Sequence, residues 1–305
     1  MLDPDEFDRV VAGVRDPIAD TDFQLALACC YELHYRGFED VADDLEWNAL
    51  VLSYRAVLEA RFEESLRANV PLPECSGAIS DELIRLIDSD TGPSLSSYLM
   101  KRATVEQFRQ FVCLRSVYHL KEADPHTWAI PRVAGATKAA LVEIQADEYG
   151  AGRTDAMHSA LFARMMRALG LDDSYGAHWR SADGSTFAVS NLMTMFGLHR
   201  RLRGAALGHL AIFEMTSTSP NRRYGNGLRR LGFDRTATEF YDVHVEADAV
   251  HEQIASVDMC GSFVRAEPSQ YGQVLFGAAC ALMLETRFAE AILDSWGFER
   301  AQQTA

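Results

Sequence analysis

Long segments of the chain carry apolar residues at three- and four-residue spacing, whereas the strict alternation typical of half-buried strands is nearly absent. This spacing predicts amphipathic α-helices. Proline and glycine mark the breaks between segments, for example at Gly92-Pro93 and Asp124-Pro125. We therefore predict an all-α fold, with helices at residues 3–14, 21–35, 43–69, 79–89, 94–101, 104–122, 134–150, 154–169, 186–198, 201–218, 220–232, 236–256 and 270–298.

The length of 305 residues, 48% of them apolar, is sufficient for a large buried core. No linker, repeat or low-complexity tract divides the sequence. We expect a single helical domain over residues 1–305, in which residues 1–100 form an N-terminal helical extension packed on a core at 101–300.

A net charge of −15 disfavours nucleic acid and anionic membranes as partners, because both repel a strongly acidic protein. No segment has the roughly 18 uncharged apolar residues that a membrane span requires, and the acidic N-terminus does not resemble an export signal. The six cysteines are scattered and form no Cys-x2-Cys pair. These features predict a cytoplasmic protein whose partners are small molecules or other proteins.

The run His244-x3-Asp248-x2-His251 has the spacing of a metal-binding helix. At 100° per residue the three side chains fall within about 60° of one another and can reach one point. Imidazole and carboxylate together suit iron, zinc or manganese. The alternative is an ordinary amphipathic helix with these residues on its solvent face.

Four other residues are candidates to complete such a site, and each has an ordinary alternative. Glu122 closes a predicted helix, where exposed acids are common, and Glu148 lies in a helix with acids on several faces. His158 is also compatible with a hydrogen-bonded core histidine. Glu214 lies in an apolar helix, where a buried carboxylate needs a cation or a partner such as His209.

His158 follows Glu148 by ten residues, which in an unbroken helix would turn the two side chains about 80° apart. Gly150 and Gly152 lie between them. A break at these glycines would let the second helix swing His158 back towards Glu148.

Together these residues provide seven nitrogen and oxygen ligands, more than one tetrahedral zinc ion requires. The inventory fits a dinuclear site. The paired Glu-x2-His runs of ferritin-like di-iron bundles are missing, as are His-Glu-x2-His, Gly-x-Ser-x-Gly, P-loop and dinucleotide-binding motifs. The common hydrolase and nucleotide-binding classes therefore lose their main support.

The order of these residues is similar to that of a known family, the haem-oxygenase-like di-iron oxidases and oxygenases, often called iron-containing redox enzymes. The resemblance covers about residues 105–256 and includes the Asp-Glu-Tyr-Gly-x-Gly stretch at 147–152. It implies a seven-helix haem-oxygenase-like core without haem. It also implies a di-iron site whose ligands are Glu122, Glu148, His158, Glu214, His244, Asp248 and His251, with no further catalytic residue predicted.

By the same resemblance we expect two iron ions per chain, O₂ as co-substrate, an external electron donor and a small-molecule substrate. His244 is similar to the additional histidine of the N-oxygenating members. The expected reaction is therefore N-hydroxylation of an amine or guanidine group of an amino-acid-like metabolite through a peroxo-diferric intermediate. Alternatives are oxidative C–C cleavage or desaturation of an amino or fatty acid, a non-catalytic iron-binding or storage protein, and a metal-free thiaminase-type enzyme with a cysteine nucleophile.

Other polar groups have supporting roles at most. We expect Asp147, Tyr149, His119 and Tyr241 to orient ligands by hydrogen bonding, because each is close in sequence to a proposed ligand. Glu32 and His34 lie two residues apart, on nearly opposite helix faces, and are left out of the metal site. The chain also carries clustered arginines, at 199–203, 222–223 and 229–230. They either bind a carboxylate or pair with the surplus acids. The apolar face of 270–298 is a candidate homodimer contact.

Overall fold

A computed structural model describes residues 3–70 and 77–298, except the side chains of 247–249; Cys75 lies outside the described residues. Every regular segment in these ranges is helical, so the predicted all-α class is confirmed. The α-helices are α1 (Pro4–Gly13), α2 (Thr21–Glu32), α3 (Ala49–Asn69), α4 (Ile79–Asp88), α5 (Leu95–Lys101), α6 (Val105–His119), α7 (Asp124–Thr127), α8 (Gly135–Glu148), α9 (His158–Ala168), α10 (Gly184–Leu198), α11 (Arg203–Arg230), α12 (Arg235–Gln253), α13 (Ser262–Ala266) and α14 (Tyr271–Ser295).

Side-chain caps determine where several helices begin. Thr104 and Gln107 form a reciprocal capping box before α6, and the Asp183 carboxylate accepts a hydrogen bond from the Thr186 N–H at the start of α10. Each cap gives a partner to a backbone N–H that the first turn leaves without one. Asn48 does the same for α3, so the α-helix predicted at 43–69 starts at Ala49, after a short 3₁₀ turn.

The longest helix, α11, packs between α12 and α14 and carries one wall of the site described below. The break predicted between 218 and 220 is wrong, because α11 continues through Pro220. A proline inside a helix costs about 3 kcal/mol. Packing of residues on both sides of Pro220, from Ala211 to Leu228, into the core offsets this cost.

Helices α11 and α14 approach closely at two glycines. A Cβ at Gly208 would lie 1.9 Å from the Val274 carbonyl oxygen, and a Cβ at Gly277 would lie 2.0 Å from that of Ala205. No other residue fits at these positions without separating the helices. The contact fixes the relative position of the two helices.

Other predicted boundaries also differ from the structure by a few residues, and two of these differences shape the site. Helix 104–122 ends at His119, after which Ala123 adopts a left-handed φ of 75° and reverses the chain. The predicted helix 154–169 becomes α-helical at His158. Helix 236–256 continues beyond α12 as a π-helical segment, Ile254–Gly261, which packs on α8.

The N-terminal helices contact the rest of the chain extensively: α2 lies on α10, α5 on α11 and α4 on α14. The division into an extension at 1–100 and a core at 101–300 stays a prediction. None of the helices in the described ranges is long and apolar enough to cross a membrane. Much of the apolar face of α14, which was the candidate homodimer contact, packs inside the chain. The homodimer also stays a prediction.

Gly277→Ala should destabilise the protein by roughly 2 kcal/mol or more, because the added methyl group meets a backbone carbonyl that cannot rotate away. Gly272→Ala is the matched control in the same helix, since nothing lies within 4 Å of its Cβ position. This control should be neutral or stabilising by up to about 1 kcal/mol. Urea unfolding measures both, and equal stabilities would contradict the close contact of α11 with α14.

Candidate metal centre

Five elements turn acids and imidazoles towards one interior region. Glu122 lies in the turn after α6, Glu148 is the last residue of α8 and His158 the first of α9; α11 supplies Glu214, and α12 supplies His244 and His251. The structure thus brings together six of the seven predicted ligands. The seventh, Asp248, lies in α12 between the two histidines, but its side chain is outside the described residues.

The six residues form two groups that share one member. Ligand atoms of Glu122, Glu148, His158 and His244 lie within 4.8 Å of one another, and so do those of Glu148, Glu214 and His251. All six side chains are buried, with at most 9% of each residue exposed. Glu148 belongs to both groups.

Local backbone geometry explains how residues distant in sequence meet. The left-handed Ala123 reverses the chain directly after Glu122. Gly150, Ala151 and Gly152 all have positive φ, so α9 starts in a new direction from α8. His158 therefore returns to Glu148, with the imidazole Nδ1 2.9 Å from the Glu148 Oε2.

Two histidines are held so that one ring nitrogen faces the cluster. The Nδ1 of His244 donates a hydrogen bond to the Phe240 carbonyl at 2.7 Å, which leaves Nε2 towards Glu122. The Nε2 of His251 donates to the Asp147 carboxylate at 2.9 Å, which leaves Nδ1 3.3 Å from Glu214. Fixing one nitrogen as donor in this way orients the other towards the cluster, where it could bind a metal.

Three buried atoms of the cluster have no hydrogen-bond partner among the described residues: Glu122 Oε2, His158 Nδ1 and His251 Nδ1. The two nitrogens are close to carboxylate oxygens but are not aligned with them for a hydrogen bond. An unpartnered buried polar atom is costly unless something else binds it. Imidazole nitrogen and carboxylate oxygen converging in this way fit a transition-metal ion such as iron.

The pKa shifts show that histidines compensate part of the buried negative charge in the metal-free cluster. Burial alone would raise the pKa of Glu122, but the charge and hydrogen bond of His119, together with His244, outweigh it and hold this pKa well below its usual range. Burial would lower the pKa of His251, but Glu214 and Asp147 outweigh it and raise the pKa to about 9. Without a metal, His251 is therefore protonated at neutral pH, and metal binding releases that proton.

Two of the four predicted orienting residues contact a ligand candidate. The His119 Nδ1 lies 2.9 Å from Glu122 Oε1, and Asp147 holds His251. Tyr149 instead bonds Thr127 and Asp124, and Tyr241 packs against neighbouring aromatic rings. Proximity in sequence identified these four residues as candidates, but it did not show which way their side chains point.

The structure also reveals features that the sequence did not indicate. A cavity of about 430 Å³ reaches Glu122, Glu148, Glu214 and His244 from the surface, between α6, α11 and α14. Buried His126, on its wall, shares a 3.1 Å hydrogen bond with His209. These two histidines are 83 residues apart, and no spacing rule links them.

Gln145 also lies on the cavity wall, near Glu148. It is 3% exposed, and its Nε2 donates to the Ala123 carbonyl at 3.3 Å. Its Oε1 has no hydrogen-bond partner among the described residues. A buried acceptor next to the cluster is therefore available to a bound molecule.

The residues left out of the site do lie elsewhere. Glu32 is buried beside Lys121 at 3.5 Å and accepts a hydrogen bond from Tyr175 at 2.7 Å, and His34 contacts Glu46. Three of the singled-out arginines follow the ion-pair alternative. Arg201 pairs with Glu63, Arg203 with Glu267 and Arg229 with Asp242.

A model of the iron-containing redox enzyme family matches residues 109–286, more than half of the chain. The chain belongs to this family. The match includes every residue of the cluster, from Glu122 to His251. This membership agrees with the predicted oxidoreductase class and with iron as the metal.

One curated relative of this iron-containing redox enzyme is a nitrosourea synthase from Streptomyces achromogenes subsp. streptozoticus. It is 26% identical over 136 residues, which are 45% of this chain. The match spans 29% of that relative, less than a third of its length.

Solved structures show the fold. A CADD-like protein of unknown function from Nostoc punctiforme superposes with a TM-score of 0.56 at 15% identity, over 71% of this chain and 96% of that one. A domain of unknown function from Shewanella denitrificans, described as having a haem-oxygenase-like fold, gives 0.53 at 12% identity, over 74% and 93%. The predicted haem-oxygenase-like fold is confirmed.

The buried His126–His209 pair predicts acid sensitivity of the metal-free protein. Burial lowers the pKa of His126 from 6.5 to about 4 and also lowers that of His209. Between these pH values the unfolded chain binds a proton that folded His126 does not, so stability falls as pH falls. From pH 6.5 to 5 the loss due to His126 is about 2 kcal/mol.

His126→Gln should remove this part of the pH dependence while keeping a polar side chain at the site. Urea unfolding at pH 7 and pH 5, without iron, measures it. A variant that loses as much stability as the wild type between these pH values would show that His126 is not kept neutral by burial.

Proposed function

We propose that the protein is a non-haem di-iron, O₂-dependent oxygenase. The observation that carries the proposal is Glu148, whose carboxylate belongs to both ligand groups. Glu122, His158 and His244 complete one iron site, and Glu214 and His251 the other; Asp248 is proposed to join them from the same helix as the two histidines. The three buried glutamates bring three negative charges together, which two divalent cations would compensate.

Bound as a pair, the iron ions would supply the electrons that reduce O₂, with an external donor restoring them. The chain's own contribution is geometry and exclusion of water. His119 holds Glu122 Oε1, so that Oε2 would be available to the metal. Phe213, which adjoins Glu214 in sequence, and Phe240, which packs against His119 and His244, line the cavity and would keep the reacting group out of bulk water.

The proposed reaction is N-oxygenation of an amine or guanidine. Gln145 Oε1 supports it, because an unpartnered acceptor beside the cluster suits a substrate that presents N–H groups. The relative from Streptomyces achromogenes, named as a nitrosourea synthase, also favours nitrogen chemistry. An additional nitrogen ligand, His244, adds to this support.

The alternatives have less support. A fatty-acid substrate for C–C cleavage or desaturation would have no use for the acceptor on Gln145. An iron-storage protein would need no cavity of about 430 Å³ leading to the ligands. Burial raises the pKa of both Cys29 and Cys113, which disfavours the thiolate that a thiaminase-type nucleophile requires.

Anaerobic Fe(II) titration should find about two ions per chain in the wild type. His158 and His251 belong to one ligand group each. The His158→Ala and His251→Ala variants should therefore each retain about one ion. Glu148→Ala should lose both. Glu143→Ala, at an exposed position of the same helix, is the matched control and should bind as the wild type does. Full binding by the Glu148 variant would contradict the shared carboxylate.

Turnover with isotopically labelled O₂ tests the reaction. With iron and a reductant, basic amino acids and related amines should gain a labelled oxygen on nitrogen, as read by mass spectrometry of the product. Labelled oxygen on carbon, or a shortened carbon chain, would favour the C–C cleaving alternative. Stoichiometric iron uptake without any oxidised product would favour storage.

A further inference from the structure

We propose that Arg223, with Ser94 and Ser96, binds the carboxylate of an α-amino-acid substrate at the outer end of the cavity. This inference rests on the proposed function, since it places the nitrogen to be oxidised at the opposite, metal-binding end. It assigns part of the substrate site to the N-terminal extension.

The cavity has two chemically different ends. Glu122, Glu214 and His244 line the inner end, whereas Asp90, Ser94, Ser96 and Arg223 line the outer one. Glu214 and Arg223 are nine residues apart in α11, a rise of about 13 Å along the helix axis. Both residues line the cavity, Glu214 at the inner end and Arg223 at the outer end.

Arg223 is a cation that lacks an acidic partner. Its Nη1 donates to the hydroxyls of Ser94 at 3.4 Å and Ser96 at 3.2 Å. No carboxylate lies within ion-pair distance of it in the ranges that the structure describes, and its Nη2 has no hydrogen-bond partner there. A guanidinium with free donors facing a cavity is suited to bidentate contact with a carboxylate.

The other arginine on the cavity wall is already neutralised. Arg115 donates from both terminal nitrogens to the two carboxylate oxygens of Glu285, at 2.8 and 2.5 Å, and its guanidinium stacks over Phe288. It therefore has little capacity left for a substrate anion. Arg223 remains the group that can attract a negative charge into the cavity.

Asp90, at the same end of the cavity, completes the recognition of an amino acid. Asp90 Oδ1 accepts a hydrogen bond from the Gly92 N–H at 2.9 Å, which holds the carboxylate at the rim. An ammonium group next to a carboxylate bound by Arg223 would meet this acid. A cation and an anion lining the same end of the cavity match the zwitterionic head of an α-amino acid better than a simple carboxylic acid.

The two serines come from residues that precede the segment matched by the family model, which starts at 109. They lie at the start of α5, which packs on α11. The N-terminal extension thereby forms one side of the outer end of the cavity. A change at 94 or 96 would alter which head group fits, without changing the proposed iron ligands.

The test is binding to the metal-free protein, measured by calorimetry with matched pairs of probes: L-arginine against agmatine, and L-lysine against cadaverine. Each pair differs by the carboxylate alone. For at least one pair the amino acid should bind at least tenfold more tightly to the wild type, as expected for a charge-assisted contact. Arg223→Ala should remove this preference, and the Ser94→Ala, Ser96→Ala double variant should reduce it.

Arg222→Ala is the matched control, since Arg222 is exposed and outside the cavity lining; it should keep the preference. If no amino acid binds the wild type better than its decarboxylated partner, or if Arg223→Ala keeps the preference, the assignment is overturned. Because iron is absent, the result is independent of the oxygenation. A carboxylate preference without any later N-oxygenated product would reject the proposed reaction and keep the binding site.

Discussion

The arrangement of this protein depends on the burial of three glutamates next to three histidines. Carboxylates removed from water repel one another and are stable only when cations or hydrogen-bond donors compensate them. Hydrogen bonds from His119 and contacts from the imidazoles satisfy part of this demand, but three ligand-type atoms remain without a partner among the described residues. The centre is therefore organised for cations, and the rest of the chain holds it in that state.

The surrounding helices give the centre its rigidity. Gly208 and Gly277 let α11 and α14 touch backbone to backbone, which fixes Glu214 relative to the cavity wall. The turn at Ala123 and the three left-handed residues after α8 position Glu122 and His158. Positive φ at an alanine is unfavourable, so Ala123 and Ala151 place local strain beside the site that they shape.

The sequence predicted the helices because they follow a local pattern, whereas most residues of the cluster were expected from the family resemblance. Apolar periodicity marks helices, and His244 and His251 lie within two turns of one helix, so their joint direction follows from spacing alone. Pro220 was misjudged because tertiary packing of α11 outweighs the local cost of proline. The left-handed turn at Ala123 has no sequence signal, since alanine rarely adopts it. No local pattern reveals the cavity. The His126–His209 pair and the contact of Arg223 with Ser94 join residues 83 and 129 positions apart, so they are also not visible in a local pattern.

The most direct test of the account is anomalous X-ray diffraction at the iron edge from crystals loaded with Fe(II). The account predicts two anomalous peaks per chain, close enough for the Glu148 carboxylate to contact both, one beside His158 and His244 and the other beside His251. A single peak, or two peaks that do not share Glu148, would contradict the central claim that this residue joins two iron sites.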